Sequence, residues 1–128
     1  MNKTILVTAS VLGITAIILG AFAAHGLKEL LSVESQQTFE TGVRYQMYHA
    51  ILLLFVGNSV LIRQRAKKKI YYLTLIGVFL FSGSIYGLAT NILTTFDFKI
   101  IGFITPIGGL LLIISWILLF VNFLKMKS

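Results

Sequence analysis

Arg63-Gln64-Arg65-Ala66-Lys67-Lys68-Lys69 is the stretch that decides the fold, because it places five positive charges between two long apolar segments. The chain has four such segments, residues 4–24, 43–62, 70–90 and 104–124. Each is about 20 residues long, which as a helix matches the roughly 30 Å hydrocarbon core of a bilayer. The pattern predicts an all-α, integral membrane four-helix bundle that forms a single domain, residues 1–128.

The charged residues divide between the two ends of this predicted bundle. Eight of the eleven Lys and Arg residues fall at one end, namely Lys3, Arg63, Arg65, Lys67, Lys68, Lys69, Lys125 and Lys127. All four acidic residues fall at the other end with the remaining basic ones: Glu29, Glu34, Glu40, Asp97, Lys28, Arg44 and Lys99. Because basic flanks of short loops stay in the cytoplasm, both termini are predicted to be cytoplasmic.

The composition argues against a soluble protein. The chain is 57% hydrophobic and 12% charged, whereas about a quarter of the residues of a soluble domain are charged. The net charge of +7 lies mostly in a short loop, where it fixes orientation and meets anionic lipid headgroups, so no nucleic-acid partner is predicted. The absence of Cys excludes disulfides and thiolate metal sites.

The N-terminus has two interpretations. Asn2-Lys3, the apolar run and Ala21-Phe22-Ala23 together resemble a signal peptide with a small-residue cleavage site. The apolar run is longer than the core of a typical signal peptide, so a retained first helix is expected.

Small residues predict close contacts between helices. Segment one carries Ala9, Gly13, Ala16, Gly20 and Ala23 at alternating spacings of four and three, which is typical of a packing seam. Segment three has a small-xxx-small pair, and segment four opens with Thr105-Pro106-Ile107-Gly108-Gly109. The predicted helix-packing glycines are Gly13, Gly20, Gly83, Gly87, Gly108 and Gly109.

Helix ends are also predicted. Gly26 is expected to end the first helix in the left-handed conformation, and Ser32 to cap the second. That second helix is expected to cover residues 33–62, with Gly42 as the place for a bend. Residues 63–69 are expected to form a tight helical hairpin.

A group of polar residues falls in the half of the bundle opposite the basic run. One interpretation is a structural cluster whose side chains bond across helices and fix the packing. The other is a shallow pocket, open to the outside, for a ligand or partner. The members are His25, Tyr45, Gln46, His49, Ser82, Ser84, Tyr86 and Thr105.

More specific chemistry has weaker support in the sequence. Two histidines on different helices are a weak signal for axial haem ligation, and Ser84 with His49 lacks the third group of a hydrolase triad. None of the four segments holds an Asp or Glu, which disfavours a proton-coupled transporter. A zinc site would need ligands beyond the two histidines. No cofactor and no metal are predicted.

Two longer motifs resemble a known family. Gly20-Ala21-Phe22-Ala23-Ala24-His25-Gly26-Leu27 and Thr38-Phe39-Glu40-Thr41-Gly42-Val43-Arg44-Tyr45-Gln46-Met47-Tyr48-His49-Ala50 are similar to small bacterial membrane proteins catalogued as domain of unknown function 423. Phe81-Ser82-Gly83-Ser84-Ile85-Tyr86, the Thr105 to Gly109 stretch and Trp116 fit the same family. Its eukaryotic relatives are the transmembrane protein 256 group. Ala23 departs from the glycine that the family often has, which affects packing only.

The resemblance implies a four-span protein of the bacterial cytoplasmic membrane with a retained first helix, and it supplies no reaction, ligand or cofactor. The leading hypothesis is a non-enzymatic packing, assembly or accessory subunit that contacts lipid and another membrane protein or a second copy of itself. The alternative is a binding or transport module for a small amphiphile or lipid, entering between His25, Tyr45, Gln46, His49 and Ser84. A third hypothesis is a redox subunit that uses haem or quinone.

Overall fold

The computed structural model describes residues 1–93 and 102–127, and this part of the chain is built from helices. The α-helices are α1 (Asn2–His25), α2 (Val33–Asn58), α3 (Gln64–Ala89) and α4 (Ile104–Leu124), with a short 3-10 helix at Asn91–Leu93. No strand occurs in these ranges, which confirms the predicted all-α class. Asp97 and Lys99, the predicted charges of the last outer loop, lie outside the described residues.

The helices run up and down alongside one another. Phe39, near the start of α2, packs against Ala23, near the end of α1. At the opposite end Gly57 of α2 lies so close to α1 that an added Cβ would be 2.9 Å from a methyl carbon of Leu6. α1 and α2 are therefore antiparallel over nearly their whole length, and the short connections between the helices reverse the chain again into α3.

This topology gives the bundle two ends, which we call the basic end and the acidic end. The basic end holds the start of α1, the connection from α2 to α3 and the end of α4. The acidic end holds the end of α1, the start of α2 and the end of α3, with Glu29, Glu34 and Glu40. The charge separation predicted from the sequence is thus present among the described residues.

Each end has its own apolar core. The core of the basic half contains Ile5, Ala9, Leu52, Leu53, Val56, Ile62, Ile70, Tyr71 and Leu119. The core of the acidic end contains Ala23, Leu27, Leu31, Phe39 and Ala89, so the α1–α2 connection supplies two of its leucines. The three alanines of the predicted seam, Ala9, Ala16 and Ala23, are all buried.

Three of the helices are long and apolar enough to cross a membrane, namely α1, α3 and α4. α2 does not join them, since Arg44, Gln46 and His49 make its first half polar. That α2 also crosses stays a prediction.

Two predicted helix boundaries are wrong. α2 ends at Asn58 rather than residue 62, because Ser59 is extended (φ −82°, ψ 134°) and its Oγ accepts a hydrogen bond of 3.1 Å from the Leu61 N–H. α3 begins at Gln64, so the basic run forms its first two turns and not a hairpin loop. The connection is therefore residues 59–63, where Val60 is 96% exposed.

The predicted caps have mixed outcomes. Ser32 does cap α2, since its Oγ accepts a 3.1 Å hydrogen bond from the Ser35 N–H. Gly26 is not left-handed: its φ is −74° and ψ −35°, and its N–H donates to the Phe22 carbonyl at 2.7 Å. Gly42 lies within the continuous helix α2, where it allows α3 to approach, because a Cβ there would be 2.7 Å from the Tyr86 ring.

Candidate functional site

Gln46 is the polar centre of the bundle. Its side chain is on α2, is only 5% exposed, and bonds to two other helices. Its Nε2 donates to the Leu12 carbonyl at 2.9 Å and to the Thr15 hydroxyl at 2.7 Å, both on α1. Its Oε1 accepts a hydrogen bond of 2.6 Å from the Tyr86 hydroxyl on α3. One amide therefore joins α1, α2 and α3.

His49, one turn further along α2, is also fully bonded. The Trp116 indole N–H on α4 donates to His49 Nε2 at 3.2 Å, and His49 Nδ1 lies 2.7 Å from the Tyr45 carbonyl. Because the indole is only a donor, Nε2 must accept, and the ring proton must sit on Nδ1 and point at that carbonyl. The geometry thus assigns a neutral imidazole with one tautomer, which links α2 to α4.

Hydroxyl groups make further bridges between helices. Ser82 of α3 donates to the Gly42 carbonyl of α2 at 2.7 Å. Ser84 of α3 and Thr105 of α4 share a hydrogen bond of 2.5 Å between their hydroxyls. A hydrolase with Ser84 as nucleophile would need a hydrogen bond between Ser84 and a base such as His49. The Ser84 hydroxyl is instead bonded to Thr105, and His49 is bonded to Trp116 and to the Tyr45 carbonyl.

The predicted cluster therefore does not form one pocket. His25 is exposed at the end of α1 and has no side-chain hydrogen bond within the described residues. Tyr45 is 39% exposed and lies against Phe81, with ring centroids 5.0 Å apart. Of the other six members, Gln46, Ser82 and Tyr86 lie together, Ser84 bonds to Thr105, and His49 bonds to Trp116. The described positions of His25, His49 and Ser84 therefore do not favour a ligand that contacts all three.

The two histidines are also too far apart for a shared metal or haem iron. Phe39 packs beside Ala23 near the end of α1, and His49 lies ten residues, roughly 15 Å, further along α2. Within residues 1–93 and 102–127, no three His, Asp or Glu side chains come together as metal ligands.

Several bonding partners could not be identified from the sequence. From the sequence alone, Thr15 is only a polar residue in an apolar helix, and Trp116 is typical of a residue that anchors a helix at the membrane interface. Thr74 of α3 and Ser115 of α4 are both fully buried and share a 2.6 Å hydrogen bond in the middle of the bundle. One sequence feature could have indicated the contact between Trp116 and His49: the N–H of a tryptophan in a helix bundle needs an acceptor, and a histidine ring nitrogen can accept.

The predicted packing glycines differ in what they contact. Gly108 makes the closest crossing, since an added Cβ would be 2.4 Å from the Phe81 backbone nitrogen. Gly77, which was not predicted, lies opposite it on α3. Gly20 and Gly109 have ordinary contacts at 3.4 and 3.5 Å, and Gly87 is half-buried.

Gly13 and Gly83 correct the prediction, because a Cβ at either position would meet nothing within 4 Å. Neither glycine packs against another helix in the described ranges. Gly83 instead borders a groove of about 270 Å³ between α1 and α3. Gln46, Ser82 and Tyr86, three of the eight residues of the predicted cluster, line this groove together with Thr15, so part of the cluster does line a cavity, but one that opens sideways.

The five basic residues of the predicted topology group also differ. Arg63 is the N-cap residue of α3, and Arg65, Lys68 and Lys69 are exposed. Lys67 is 2% exposed, and its Nζ donates to the Asn2 side-chain oxygen at 3.1 Å. Lys67 therefore ties the start of α3 to the start of α1, in addition to adding charge.

Comparison with known proteins identifies the family. Residues 19–109 match the family described as protein of unknown function DUF423. A UPF0382 membrane protein of Haemophilus influenzae is 39% identical over 128 residues, which is 100% of this chain and 99% of the relative. UPF0382 membrane protein YwdK of Bacillus subtilis is 37% identical over 96% of this chain and 98% of its own. UPF0382 inner membrane protein YgdD of Escherichia coli is 30% identical over 98% and 93%.

No solved structure matches the chain. The relatives are named as membrane proteins, one of them as an inner membrane protein, which agrees with the three helices able to span a membrane. The predicted family and the predicted location in the bacterial cytoplasmic membrane are confirmed: this chain is a small helical membrane protein that belongs to the DUF423 family.

Proposed function

We propose that this chain is a non-enzymatic accessory or assembly protein that packs against another membrane protein or a second copy of itself. One observation carries the proposal: the polar groups that a reactive centre would need are bonded to one another across helix interfaces. Among the described residues, no buried side-chain nitrogen or oxygen lacks a hydrogen-bond partner. Polar groups used in this way fix the packing of membrane helices.

The proposal includes a four-span topology with both termini in the cytoplasm. α2 lies beside α1 from Ala23 to Leu6, and its 26 residues correspond to about 39 Å, so it covers the same thickness as its neighbour. Its polar side chains at Gln46 and His49 face other helices rather than lipid. The basic end fits the cytoplasmic side, because basic residues near spans stay there.

The groove between α1 and α3 is the surface that supports contact with a partner. Gly83 leaves a gap on α3, and Phe79, one turn earlier, is 77% exposed. A small residue leaves a gap on the helix surface, and the projecting aromatic ring beside it forms one wall of that gap. A side chain of another helix can fit into such a gap, and membrane helices associate through packing of this kind.

Gly83→Leu tests this contact. A Cβ at Gly83 would have no atom within 4 Å and the side chain would point into the groove, so folding should be retained while the assembly changes. The control is Ala21→Leu, which adds three carbons instead of four at an exposed position of α1 outside the groove. We expect Gly83→Leu, and not Ala21→Leu, to change the oligomer size or the recovery of a co-purifying membrane protein after gentle extraction. Identical assemblies for both variants would contradict the proposal.

A second function is favoured by the same groove. Its walls are apolar and its floor offers the Thr15, Gln46 and Tyr86 side chains, which suits an amphiphile with one polar group. Native mass spectrometry of the gently extracted protein distinguishes the two. A bound lipid or quinone that Gly83→Leu removes would support this alternative, and a bound protein would support the assembly function.

A further inference from the structure

A second cavity lies at the basic end, between the first turns of α3 and the last turns of α4. It has a volume of about 160 Å³, and four cationic side chains surround it: Arg63, Arg65 and Lys69 from α3 and Lys125 from α4. Leu118 and Val121 form its apolar wall. We call this cavity the cationic pocket.

The charge of the cationic pocket is not compensated within the described chain. None of its four cations has a side-chain hydrogen bond or ion pair with another residue of the described ranges, and all four are exposed. The described acidic residues, Glu29, Glu34 and Glu40, are at the acidic end of the bundle. Four uncompensated cations around one cavity favour an anion as its occupant.

Two further features give the pocket a defined shape and added positive potential. Asn122, in its wall, donates to the Leu61 carbonyl at 3.3 Å, which fixes the end of α4 to the α2–α3 connection. α3 begins at this pocket, and its N-cap residue Arg63 makes no side-chain capping bond. The free N–H groups of that first turn carry partial positive charge.

An apolar groove continues from the pocket along the bundle. It has a volume of about 510 Å³ and shares Arg65, Lys69 and Leu118 with the cationic pocket. Lys68 adds a further cation at the same end, and beyond it the groove is lined by Tyr72, Leu73 and Ile76 of α3. From Arg65 to Ile76 it follows α3 for eleven residues, roughly 17 Å. The occupant therefore meets cations at one end and hydrocarbon along the rest.

We propose that this composite site binds an anionic phospholipid, with the phosphodiester in the cationic pocket and one acyl chain in the groove. Arg and Lys together bind phosphate oxygens, and basic pockets between membrane helices suit lipid head groups. A soluble phosphate compound would use the pocket alone and leave the groove empty. A zwitterionic lipid would fill the groove but lacks the net charge that four cations select.

Lipid titration of the full-length protein in detergent, followed by native mass spectrometry, tests the proposal. The probes are phosphatidylglycerol and phosphatidylcholine with identical acyl chains, with glycerol phosphate as the head group without chains. The pocket variant is Arg65→Gln with Lys69→Gln. The matched control is Arg44→Gln with Lys28→Gln, which removes the same two residue types from the acidic end, where both are exposed.

We expect the unaltered protein and the control to prefer phosphatidylglycerol. The pocket variant should lose roughly 25-fold in affinity for it, because each of the two basic residues near an anionic head group contributes roughly fivefold. Lys125→Gln, on the other helix, should give about half of that loss on a logarithmic scale, and it leaves α3 unchanged. Equal loss in the control, an unchanged preference in both pocket variants, or full competition by glycerol phosphate would overturn the proposal. This site is distinct from the α1–α3 groove, so its failure leaves the assembly function untouched.

Discussion

The Tyr86 hydroxyl donates a 2.6 Å hydrogen bond to the side-chain oxygen of Gln46, and this contact completes the bonding of an amide that three helices share. Gln46 is buried, so the loss of one partner leaves a polar atom unpaired in an apolar environment. The polar cluster can therefore be tested by its effect on stability, separately from any ligand.

Tyr86→Phe should lower the free energy of unfolding by about 1 kcal/mol, since interhelical hydrogen bonds in membrane proteins contribute roughly 0.6 to 1.7 kcal/mol. The measurement is reversible unfolding in mixed micelles, followed by circular dichroism. Tyr48→Phe is the control, because Tyr48 is exposed on α2 and has no side-chain hydrogen bond in the described structure. A Tyr86→Phe protein as stable as the control would show that this hydroxyl does not stabilise the bundle.

The histidines give a second prediction, in which His49 is structural and His25 is not. His49→Ala removes the acceptor of the Trp116 N–H and part of the α2–α4 contact, so we expect a loss of stability of about 1 to 3 kcal/mol. His25→Ala changes an exposed residue and should leave stability within about 0.5 kcal/mol of the unaltered protein.

The nitrogen chemical shifts of the His49 ring provide an independent check, since they report which nitrogen carries the proton. We expect a neutral ring with the proton on Nδ1, and Trp116→Phe should alter the Nε2 shift. If His49→Ala kept full stability but changed lipid or partner recovery, the functional interpretation of this histidine would replace the structural one.

The cluster shows what the sequence could and could not predict. Helical periodicity correctly placed Gln46 and His49 on α2 and Ser82 and Ser84 on α3, because a position along a helix follows from counting residues. It could not identify their partners, which depend on how each helix is rotated against its neighbours. The predicted grouping differs from the structure for that reason: Gln46 and Ser82 line the groove between α1 and α3, whereas His49 and Ser84 bond to residues of α4.

The crossing of α3 and α4 supplies a third prediction, with two adjacent glycines as a matched pair. A methyl group at Gly108 would be 2.4 Å from the Phe81 backbone nitrogen and 2.9 Å from the Gly77 carbonyl oxygen. Backbone atoms cannot rotate away, so Gly108→Ala should separate the helices and cost about 1 to 3 kcal/mol. A methyl group at Gly109 would only touch the Phe81 ring at 3.5 Å.

Gly109→Ala is therefore the control, and it gains the same helix propensity of up to about 1 kcal/mol as its neighbour. The difference in unfolding free energy between the two variants isolates the clash. If Gly108→Ala were as stable as Gly109→Ala, the close crossing of α3 and α4 would be wrong.

Glycine positions also show why a packing motif is not a packing contact. Gly83 and Gly87 have the small-xxx-small spacing, yet Gly83 faces an open groove. Gly77 makes a close crossing although the residues four positions away, Leu73 and Phe81, are large. Spacing shows that one face of a helix is smooth, but which face a neighbour covers depends on the arrangement of the whole bundle. Both limits of α4, Ile104 and Leu124, agree with the predicted segment, because they depend only on the extent of a mainly apolar run.

The last prediction concerns topology, and the absence of cysteine makes it direct to test. Single cysteines at Val60, in the α2–α3 connection, and at Glu29, in the α1–α2 connection, are both exposed and lie at opposite ends of the bundle. With four spans and cytoplasmic termini, a membrane-impermeant thiol reagent applied to intact spheroplasts should label Glu29→Cys and spare Val60→Cys. Permeabilised membranes should show labelling of both, which controls for reactivity.

Replacing Glu29 should not itself reverse the topology, since acidic residues contribute little to orientation. If α2 did not cross, both cysteines would be on the same side of the membrane. In intact spheroplasts the reagent would then label both of them or neither of them. Labelling of Val60→Cys alone in spheroplasts would place the basic end outside, against the orientation that its eight cations favour.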